Sequence, residues 1–182
     1  GHTFGYLSEL IVKDDISEYF KKGPSKLTAL STMSIILMRK DPPVDDQFIY
    51  DTQILSLAES EGVLVVNSPQ GLRDMNEKLT ALLFPQCCPE TLVSRNKKDL
   101  KAFIQKHRDT VLKPLDGMGG KSIFRVKDND SNINVILETL TANGAMALAQ
   151  KFIPEIEQGD KRILLVDGVP VPYTLARIPQ GD

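Results

Sequence analysis

The sequence is poor in the side chains that form disulfides or bind zinc, with two cysteines and two histidines among 182 residues, and it has no tryptophan. The cysteines are the neighbours Cys87 and Cys88, which do not suit a disulfide scaffold, so free thiols and a reducing, cytoplasmic compartment are expected. His2 and His107 are remote in sequence from this pair, and no Cys-x-x-Cys or His-x-x-x-His spacing occurs. A zinc site of thiolates or imidazoles is therefore not expected.

Long apolar runs and an excess of one charge are also missing. The longest apolar stretches, such as residues 35–38 and 163–166, fall far short of the roughly 18 residues that span a bilayer. The formal net charge is −2, from 22 basic and 24 acidic side chains, without a polybasic cluster. We therefore expect a globular protein that has neither a membrane nor a nucleic acid as its partner. The first residue is not Met and no signal-peptide pattern follows, so we expect the sequence to start either inside a longer chain or at a processed end.

The first half of the sequence alternates strand-like and helix-like segments. Residues 35–38 and 63–66 are short apolar runs typical of buried strands. Between them, Asp45 or Asp46 can cap a helix that ends near Gly62. The apolar face of this helix is predicted at Tyr50, Ile54, Leu57 and Ala58. A second helix is predicted with Leu72, Met75, Leu79 and Leu82 at helical period. Strand, helix, strand, helix indicates an open parallel α/β sheet.

The second half has a mixed α+β pattern, and a boundary is predicted near residues 75–85. An edge strand is expected at residues 91–94, followed by a helix that Asn96 caps. Leu100, Phe103, Ile104 and His107 are predicted to lie along one apolar stripe of this helix. The histidine is interpreted as packed rather than catalytic. Further strands are predicted at 111–113, 122–126 and 145–150, and a helix at 133–140. Asp167-Gly168 predicts an antiparallel hairpin.

A glycine-rich loop is the strongest local signal for chemistry. Gly117, Met118, Gly119 and Gly120 follow a strand, and glycines of this kind allow positive φ and present amide groups to a polyphosphate. A P-loop is not matched, because Leu115 occupies its first glycine position and a strand follows instead of a helix. A dinucleotide fingerprint fails at Ser122. A flap over phosphates and a ligand-free glycine turn both remain open on these residues alone.

Four basic residues accompany this loop: Lys78, Lys113, Arg162 and Arg177. Each alone is usually a solvated surface group. Phosphoryl transfer is catalysed mainly by positioned positive charge, so their combination with a glycine flap predicts a phosphate site.

Four ordered segments are recognisable beyond their composition: residues 36–43, 76–78, 112–120 and 176–181. Together they closely resemble the bacterial glutathione synthetase family of the ATP-grasp superfamily, over almost the whole sequence from about Ile35 onward. The resemblance implies a partial parallel α/β pre-ATP-grasp domain at residues 1–76. An incomplete ATP-grasp domain with a glycine-rich flap is implied at 77–182, divided into a lid at 77–149 and the start of a larger subdomain at 150–182.

The activity implied by this resemblance is an ATP-dependent carboxylate–amine ligase. It would join γ-glutamylcysteine to glycine through an acyl phosphate, forming glutathione, ADP and phosphate. Another ATP-grasp ligase with a different acid and amine, or a nucleotide-binding fragment without activity, are the alternatives. No protein nucleophile is required, in agreement with the lack of a Ser-His-Asp or Cys-His pattern.

The resemblance also implies roles for individual residues. Lys78 and Lys113 would hold the α- and β-phosphates, and the amides of Gly117, Met118, Gly119 and Gly120 would cover them. Adenine would be read by Gln150 and by the linker Lys151, Phe152 and Ile153, with Asp160 on the ribose. Arg162 and Arg177 would act catalytically near the transferred phosphate, and Arg39 and Lys40 would hold the dipeptide.

ATP and Mg²⁺ or Mn²⁺ are the implied cofactors. The family's Glu-x-Asn segment, which ligates magnesium, is absent from these residues, so no metal ligand is expected in this sequence. The resemblance further implies a cytoplasmic homo-oligomer, a tetramer, with γ-glutamylcysteine and glycine as small-molecule substrates.

Overall fold

A computed structural model describes residues 2–117 and 119–178 of the chain. The chain divides into two compact units, each with its own core. Unit 1 comprises Gly1–Leu83 with Leu115–Lys121, and unit 2 comprises Phe84–Pro114 with Ser122–Asp182.

Unit 1 begins with a long antiparallel hairpin that the sequence pattern did not predict. Its strands are β1 (Phe4–Val12) and β2 (Phe20–Ala29), paired from Phe4↔Ala29 to Val12↔Phe20. The register shifts between Ser8 and Leu10, and many apolar side chains of the hairpin are exposed. Because apolar residues lie on both faces of these strands, the alternation that marks a half-buried strand is blurred.

The predicted strand–helix–strand unit follows and is confirmed. Strand β3 (Ile35–Leu37) pairs in parallel with β4 (Leu64–Val66), and α1 (Asp46–Ser60) connects them. The N-cap of α1 is Asp45, whose carboxylate accepts the Phe48 N–H at 2.9 Å. The core of unit 1 contains Leu30, Ala58, Val63 and Val65.

The predicted apolar face of α1 is wrong for three of its four residues. Tyr50, Ile54 and Leu57 are 51%, 45% and 57% exposed, whereas Ala58 is buried as predicted. The buried side of the helix is formed by Phe48, Thr52 and Ala58. Apolar residues occur around the whole circumference of α1, so the period alone could not select the buried face.

The prediction of a long second helix is also wrong. Helix α2 (Pro69–Asp74) is short, and Leu82 lies in a separate 3₁₀ segment, Thr80–Leu83. Between them the carboxamide oxygen of Asn76 accepts the backbone N–H groups of Lys78 and Leu79 at 3.0 and 3.1 Å. This local bonding replaces the helical ladder, so Lys78 lies in a turn rather than on a helix.

Unit 2 contains a four-stranded antiparallel sheet in the order β5-β8-β6-β7. The strands are β5 (Thr91–Ser94), β6 (Asp109–Pro114), β7 (Phe124–Lys127) and β8 (Ala147–Lys151). Helix α3 (Lys97–His107) and helix α4 (Ile133–Leu140) contribute Leu100, Ile104 and Leu137 to the core beside the sheet residues Leu112 and Val126. The predicted edge strand, both helices and the Asn96 cap are confirmed.

A final hairpin consists of β9 (Asp160–Val166) and β10 (Val169–Arg177). Its turn has positive φ at Asp167 (51°) and Gly168 (76°), as the Asp-Gly signal predicted. None of the helices among the described residues is long and apolar enough to cross a membrane.

Candidate functional site

Two adjacent strands of unit 2 bring together a lysine and a glutamine that were both predicted site residues. Lys113 on β6 donates from Nζ to Oε1 of Gln150 on β8 at 3.1 Å. The Gln150 amide then donates from Nε2 to Oγ1 of Thr91 on β5 at 3.0 Å. The Thr91 hydroxyl donates in turn to the carbonyl of Pro89 at 2.8 Å. A cation, an amide and a hydroxyl are thus linked across three neighbouring strands.

The chain leaving β8 is held by backbone hydrogen bonds on both sides. The Lys151 N–H donates to the Glu90 carbonyl at 2.9 Å, and the Phe152 N–H donates to the Asp109 carbonyl at 3.1 Å. The carbonyl of Ile153 accepts the N–H of Ile156 at 3.2 Å. These bonds define the path of the predicted adenine linker.

The ring of Phe152 is covered by a guanidinium. The Arg125 Cζ lies 3.5 Å from the ring centroid, a cation–π contact. Arg125 also donates to both carboxylate oxygens of Asp109, at 3.0 and 2.7 Å. The hydrogen bonds from Arg125 lower the pKa of Asp109. Sequence reasoning missed both residues of this ion pair, because only the pairing of β6 with β7 brings them together.

In unit 1, the side chain of Lys78 contacts the glycine-rich loop. Its ammonium donates to the Gly117 carbonyl at 2.7 Å, to Leu115 at 3.5 Å and to the Glu77 carboxylate at 2.8 Å. The Asn76 amide also donates to the Leu115 carbonyl, at 3.3 Å. The Lys78 side chain is 13% exposed, so it lies against the loop rather than in free solvent.

At Gly119 and Gly120 the backbone of this loop has the positive φ that glycine allows. Gly119 and Gly120 have φ of 65° and 78°, and Ser122 has φ of 57°. A Cβ added at Gly119 or Gly120 would meet nothing within 4 Å. Glycine is therefore needed there for its backbone freedom rather than for close contact. Met118 lies outside the described residues.

A cavity of about 270 Å³ lies in unit 1 beside this loop, and its lining includes Lys40, Phe48, Arg73, Asn76 and Gly117. Lys40 pairs with Asp51 at 2.5 Å. Arg39 is exposed after β3. The cavity therefore includes one of the two residues predicted to hold the dipeptide.

The last hairpin joins two more predicted residues. Arg177 on β10 donates to both carboxylate oxygens of Asp160 on β9, with one distance of 2.7 Å. This hydrogen bonding lowers the pKa of Asp160, and the positive charge of Arg162 on the same strand adds to the effect. Arg177 and Arg162 therefore both place positive charge near the Asp160 carboxylate.

His107 is packed, as interpreted from the sequence. Its side chain is 5% exposed, its ring lies 4.2 Å from that of Phe103, and its Nε2 is 3.5 Å from the Glu90 carboxylate. Neither Cys87 nor Cys88 forms a disulfide bond.

Two family models together match almost the entire chain. The prokaryotic glutathione synthetase N-terminal domain matches residues 1–73, and the prokaryotic glutathione synthetase ATP-grasp domain matches residues 77–182. The chain belongs to the prokaryotic glutathione synthetase family. The mixed α/β architecture and the incomplete ATP-grasp domain expected from the sequence are thereby confirmed.

Curated relatives agree with the glutathione synthetase family assignment. The chain is 57% identical over 183 residues to a glutathione synthetase of Xylella fastidiosa and 60% identical over 183 residues to one of Xanthomonas axonopodis pv. citri. It is 55% identical over 182 residues to the glutathione synthetase of Escherichia coli K12. In each case the match covers 100% of this chain and 58% of the relative. The chain therefore spans somewhat more than half the length of these relatives.

Solved structures with low sequence identity share the fold of this glutathione synthetase family member. D-alanyl-alanine synthetase A from Vibrio cholerae has a TM-score of 0.60 at 10% identity, covering 96% of this chain and 53% of that structure. The D-cycloserine synthetase DcsG has a TM-score of 0.59 at 16% identity, covering 84% and 62%. These likenesses support the ATP-grasp fold.

Proposed function

We propose that the protein carrying this chain is an ATP-dependent ligase that joins γ-glutamylcysteine to glycine, with glutathione, ADP and phosphate as products. The assignment to the family supports this activity. The single structural observation in its favour is the hydrogen bond between Lys113 and Gln150 on adjacent strands of the ATP-grasp sheet. It puts a cation next to a neutral amide, which is the combination that a phosphate and a purine base require.

Within unit 2 we propose that Lys113 binds a phosphate and that Gln150 and the linker Lys151, Phe152 and Ile153 recognise adenine. Backbone groups at a strand-to-loop junction are uncharged, which suits a neutral base. The N–H groups of Lys151 and Phe152 are bonded to the Glu90 and Asp109 carbonyls, so the proposed contacts to adenine are the carbonyls of these two residues and the Ile153 N–H. Asp160 is proposed to bind the ribose hydroxyls. The lowered pKa of this carboxyl favours its ionised, acceptor-only form at neutral pH.

Within unit 1 we propose that Lys78 and the amides of Gly117, Met118, Gly119 and Gly120 bind phosphate. The Lys78 ammonium is hydrogen-bonded to the carbonyls of Gly117 and Leu115. A bound phosphate would replace these neutral oxygen acceptors with charged ones. Lys40 and Arg39 are proposed to hold the anionic dipeptide.

Catalysis by this set of residues is a matter of alignment and charge. Arg162 and Arg177 are proposed to stabilise the negative charge that develops when the dipeptide carboxylate attacks the γ-phosphate. The amine of glycine then displaces phosphate from the acyl phosphate. No side chain of the chain is required as a nucleophile.

Magnesium, with manganese as a substitute, is the proposed metal, and it would neutralise phosphate charge when bound. Residues 2–117 and 119–178 contain no cluster of three or more His, Cys, Asp or Glu side chains that could hold a metal ion. We therefore assign no described residue as a metal ligand. We also propose that the protein is a cytoplasmic homotetramer. Its domain boundary is proposed to lie between residues 76 and 77.

The direct test measures ADP release by the complete polypeptide with magnesium, ATP and γ-glutamylcysteine, with and without glycine. We expect full turnover to require glycine. Lys113→Ala should weaken ATP binding by about tenfold or more, because a charged hydrogen bond contributes about 1.5–3 kcal/mol. Lys98→Ala on α3 removes an exposed lysine of the same unit and should leave ATP binding unchanged.

Turnover of another acid and amine pair, with none for this pair, would contradict the substrate assignment. Unchanged ATP affinity in Lys113→Ala would contradict the nucleotide site.

A further inference from the structure

The hydrogen bonds of Gln150 to Lys113 and Thr91 favour the same orientation of its carboxamide. Its oxygen faces the Lys113 ammonium at 3.1 Å, and its nitrogen faces the Thr91 hydroxyl at 3.0 Å. We propose that Thr91 is a positioning residue that holds the Gln150 oxygen toward the base and so makes the site select a 6-aminopurine over a 6-oxopurine. This inference rests on the proposed nucleotide site.

Thr91 is suited to this role because its own proton is used elsewhere. The hydroxyl donates to the Pro89 carbonyl at 2.8 Å, so its oxygen is left as an acceptor toward Gln150. An acceptor attracts the NH₂ end of the carboxamide and disfavours the carbonyl end. Thr91 and Gln150 are also directly opposite each other in the β5–β8 register, which keeps the two side chains on one face.

Lys113 favours the same orientation, since an ammonium group only donates. In the proposed function, however, this ammonium also serves a phosphate of ATP. Thr91 and Pro89 are not proposed to bind the nucleotide, so bound ATP would leave in place the hydrogen bond from Thr91 to Pro89 and the one from Gln150 to Thr91. Thr91 is then the partner that still fixes the amide.

The chemical consequence is base selectivity. A carbonyl oxygen has two lone pairs, so the Gln150 Oε1 that accepts from Lys113 can also accept from an exocyclic amino group. A reversed amide would present NH₂ instead, which matches the 6-oxo group of inosine. Selectivity between ATP and inosine triphosphate therefore reports the orientation of the amide.

The test compares dissociation constants of ATP and inosine triphosphate for the complete polypeptide and its Thr91 variants. Thr91→Val has nearly the shape of threonine and suits a strand, but it lacks the hydroxyl. We expect its preference for ATP over inosine triphosphate to fall about three- to tenfold, the effect of one net hydrogen bond. Thr91→Ser retains the hydroxyl and should restore the preference. Thr91→Ala removes the same group with less bulk and serves as the second variant if Thr91→Val does not fold.

A Gln150→Glu background supplies the matched control. A carboxylate presents an acceptor in either orientation, so Thr91→Val should no longer change the ratio of the two constants there. An equal loss of affinity for both nucleotides in Thr91→Val, or the same change in ratio in both backgrounds, would overturn the role of Thr91.

Failure of this inference differs from failure of the proposed ligase. Binding constants need no acid or amine substrate, so the ratio for Thr91→Val is measured whether or not γ-glutamylcysteine and glycine are ligated. A complete polypeptide that binds ATP with the predicted dependence on Thr91 but ligates neither substrate would support the inference and contradict the ligase. A polypeptide that binds neither nucleotide would overturn both.

Discussion

At the scale of single residues, ionised side chains stabilise the segments around the proposed adenine linker. Arg125 connects the carboxylate of Asp109 to the face of the Phe152 ring. The same Asp109 also accepts the Phe152 N–H through its backbone carbonyl. Two contacts therefore converge on Phe152, and one of them depends on the charge of the Asp109 side chain.

This charge leads to a pH prediction. The Asp109 pKa is lowered by its hydrogen bonds from Arg125, so the stabilisation is fully present above the ordinary Asp pKa of about 3.9 and is lost as the pH falls through the lower folded-state value. We expect Asp109→Asn to lower the free energy of unfolding by about 0.2–1 kcal/mol at neutral pH, a range appropriate to a solvent-screened pair. The difference from wild type should disappear in strong acid. Urea unfolding at several pH values measures it.

Asp128→Asn makes the same chemical change at an exposed aspartate that follows Lys127, the residue paired with Asp109 in the sheet. This variant should change the free energy of unfolding by no more than about 0.5 kcal/mol. A penalty for Asp109→Asn that stays constant down to low pH would show that packing, and not the ion pair, is responsible.

At the scale of elements, the glycine-rich loop depends on the backbone conformation of two glycines. Gly119 and Gly120 adopt the left-handed region, where an L side chain costs roughly 1–2 kcal/mol per residue. Nothing within 4 Å opposes an added Cβ at either position, so substitution acts on the backbone conformation alone. The loop thus depends on two glycines for its shape rather than for space.

We predict that, in the complete polypeptide, Gly119→Ala with Gly120→Ala lowers turnover in the proposed ligase reaction more than ATP affinity, because a misshapen loop would fail mainly in ordering the transition state. Steady-state kinetics and nucleotide titration separate the two effects. Gly71→Ala lies inside α2 without positive φ, and its Cβ would make an ordinary 3.7 Å contact with Ser68. This control should leave turnover unchanged, and an equal loss of turnover and affinity in the double variant would instead indicate simple ground-state binding.

At the scale of the whole molecule, stability depends on two separate cores. The core of unit 2 includes Leu137 of α4 at 1% exposure, whereas Val135 of the same helix is 62% exposed. Burial, and not helix propensity, therefore distinguishes two apolar residues that lie two positions apart in the same helix.

We predict that Leu137→Ala lowers the free energy of unfolding of unit 2 by about 2–5 kcal/mol, since it removes buried contacts and leaves a cavity. Val135→Ala should change it by no more than about 0.5 kcal/mol. Denaturant titration followed by hydrogen exchange in β6 and β8 measures both. Similar losses in the two variants would contradict the assignment of the core.

Local signals predicted much of this fold. The Asn96 cap, the Asp167-Gly168 turn and the positive φ at Gly119 and Gly120 each depend on a few neighbouring residues, so they can be derived from sequence. The buried face of α1 could not be derived, because apolar residues surround that helix and only packing selects among them. Lys78 was misplaced onto a helix for a related reason, since the Asn76 side chain competes with the backbone ladder.

The sequence by itself determined the family and the identities of the candidate site residues, because a motif is defined by residue types and their spacing along the chain. Tertiary structure alone decided which residues touch. The order β5-β8-β6 places Thr91 beside Gln150 and Gln150 beside Lys113, although these residues are far apart along the chain. Strand order depends on the packing of the whole sheet and its helices, and the hydrophobic period of one segment carries no information about it.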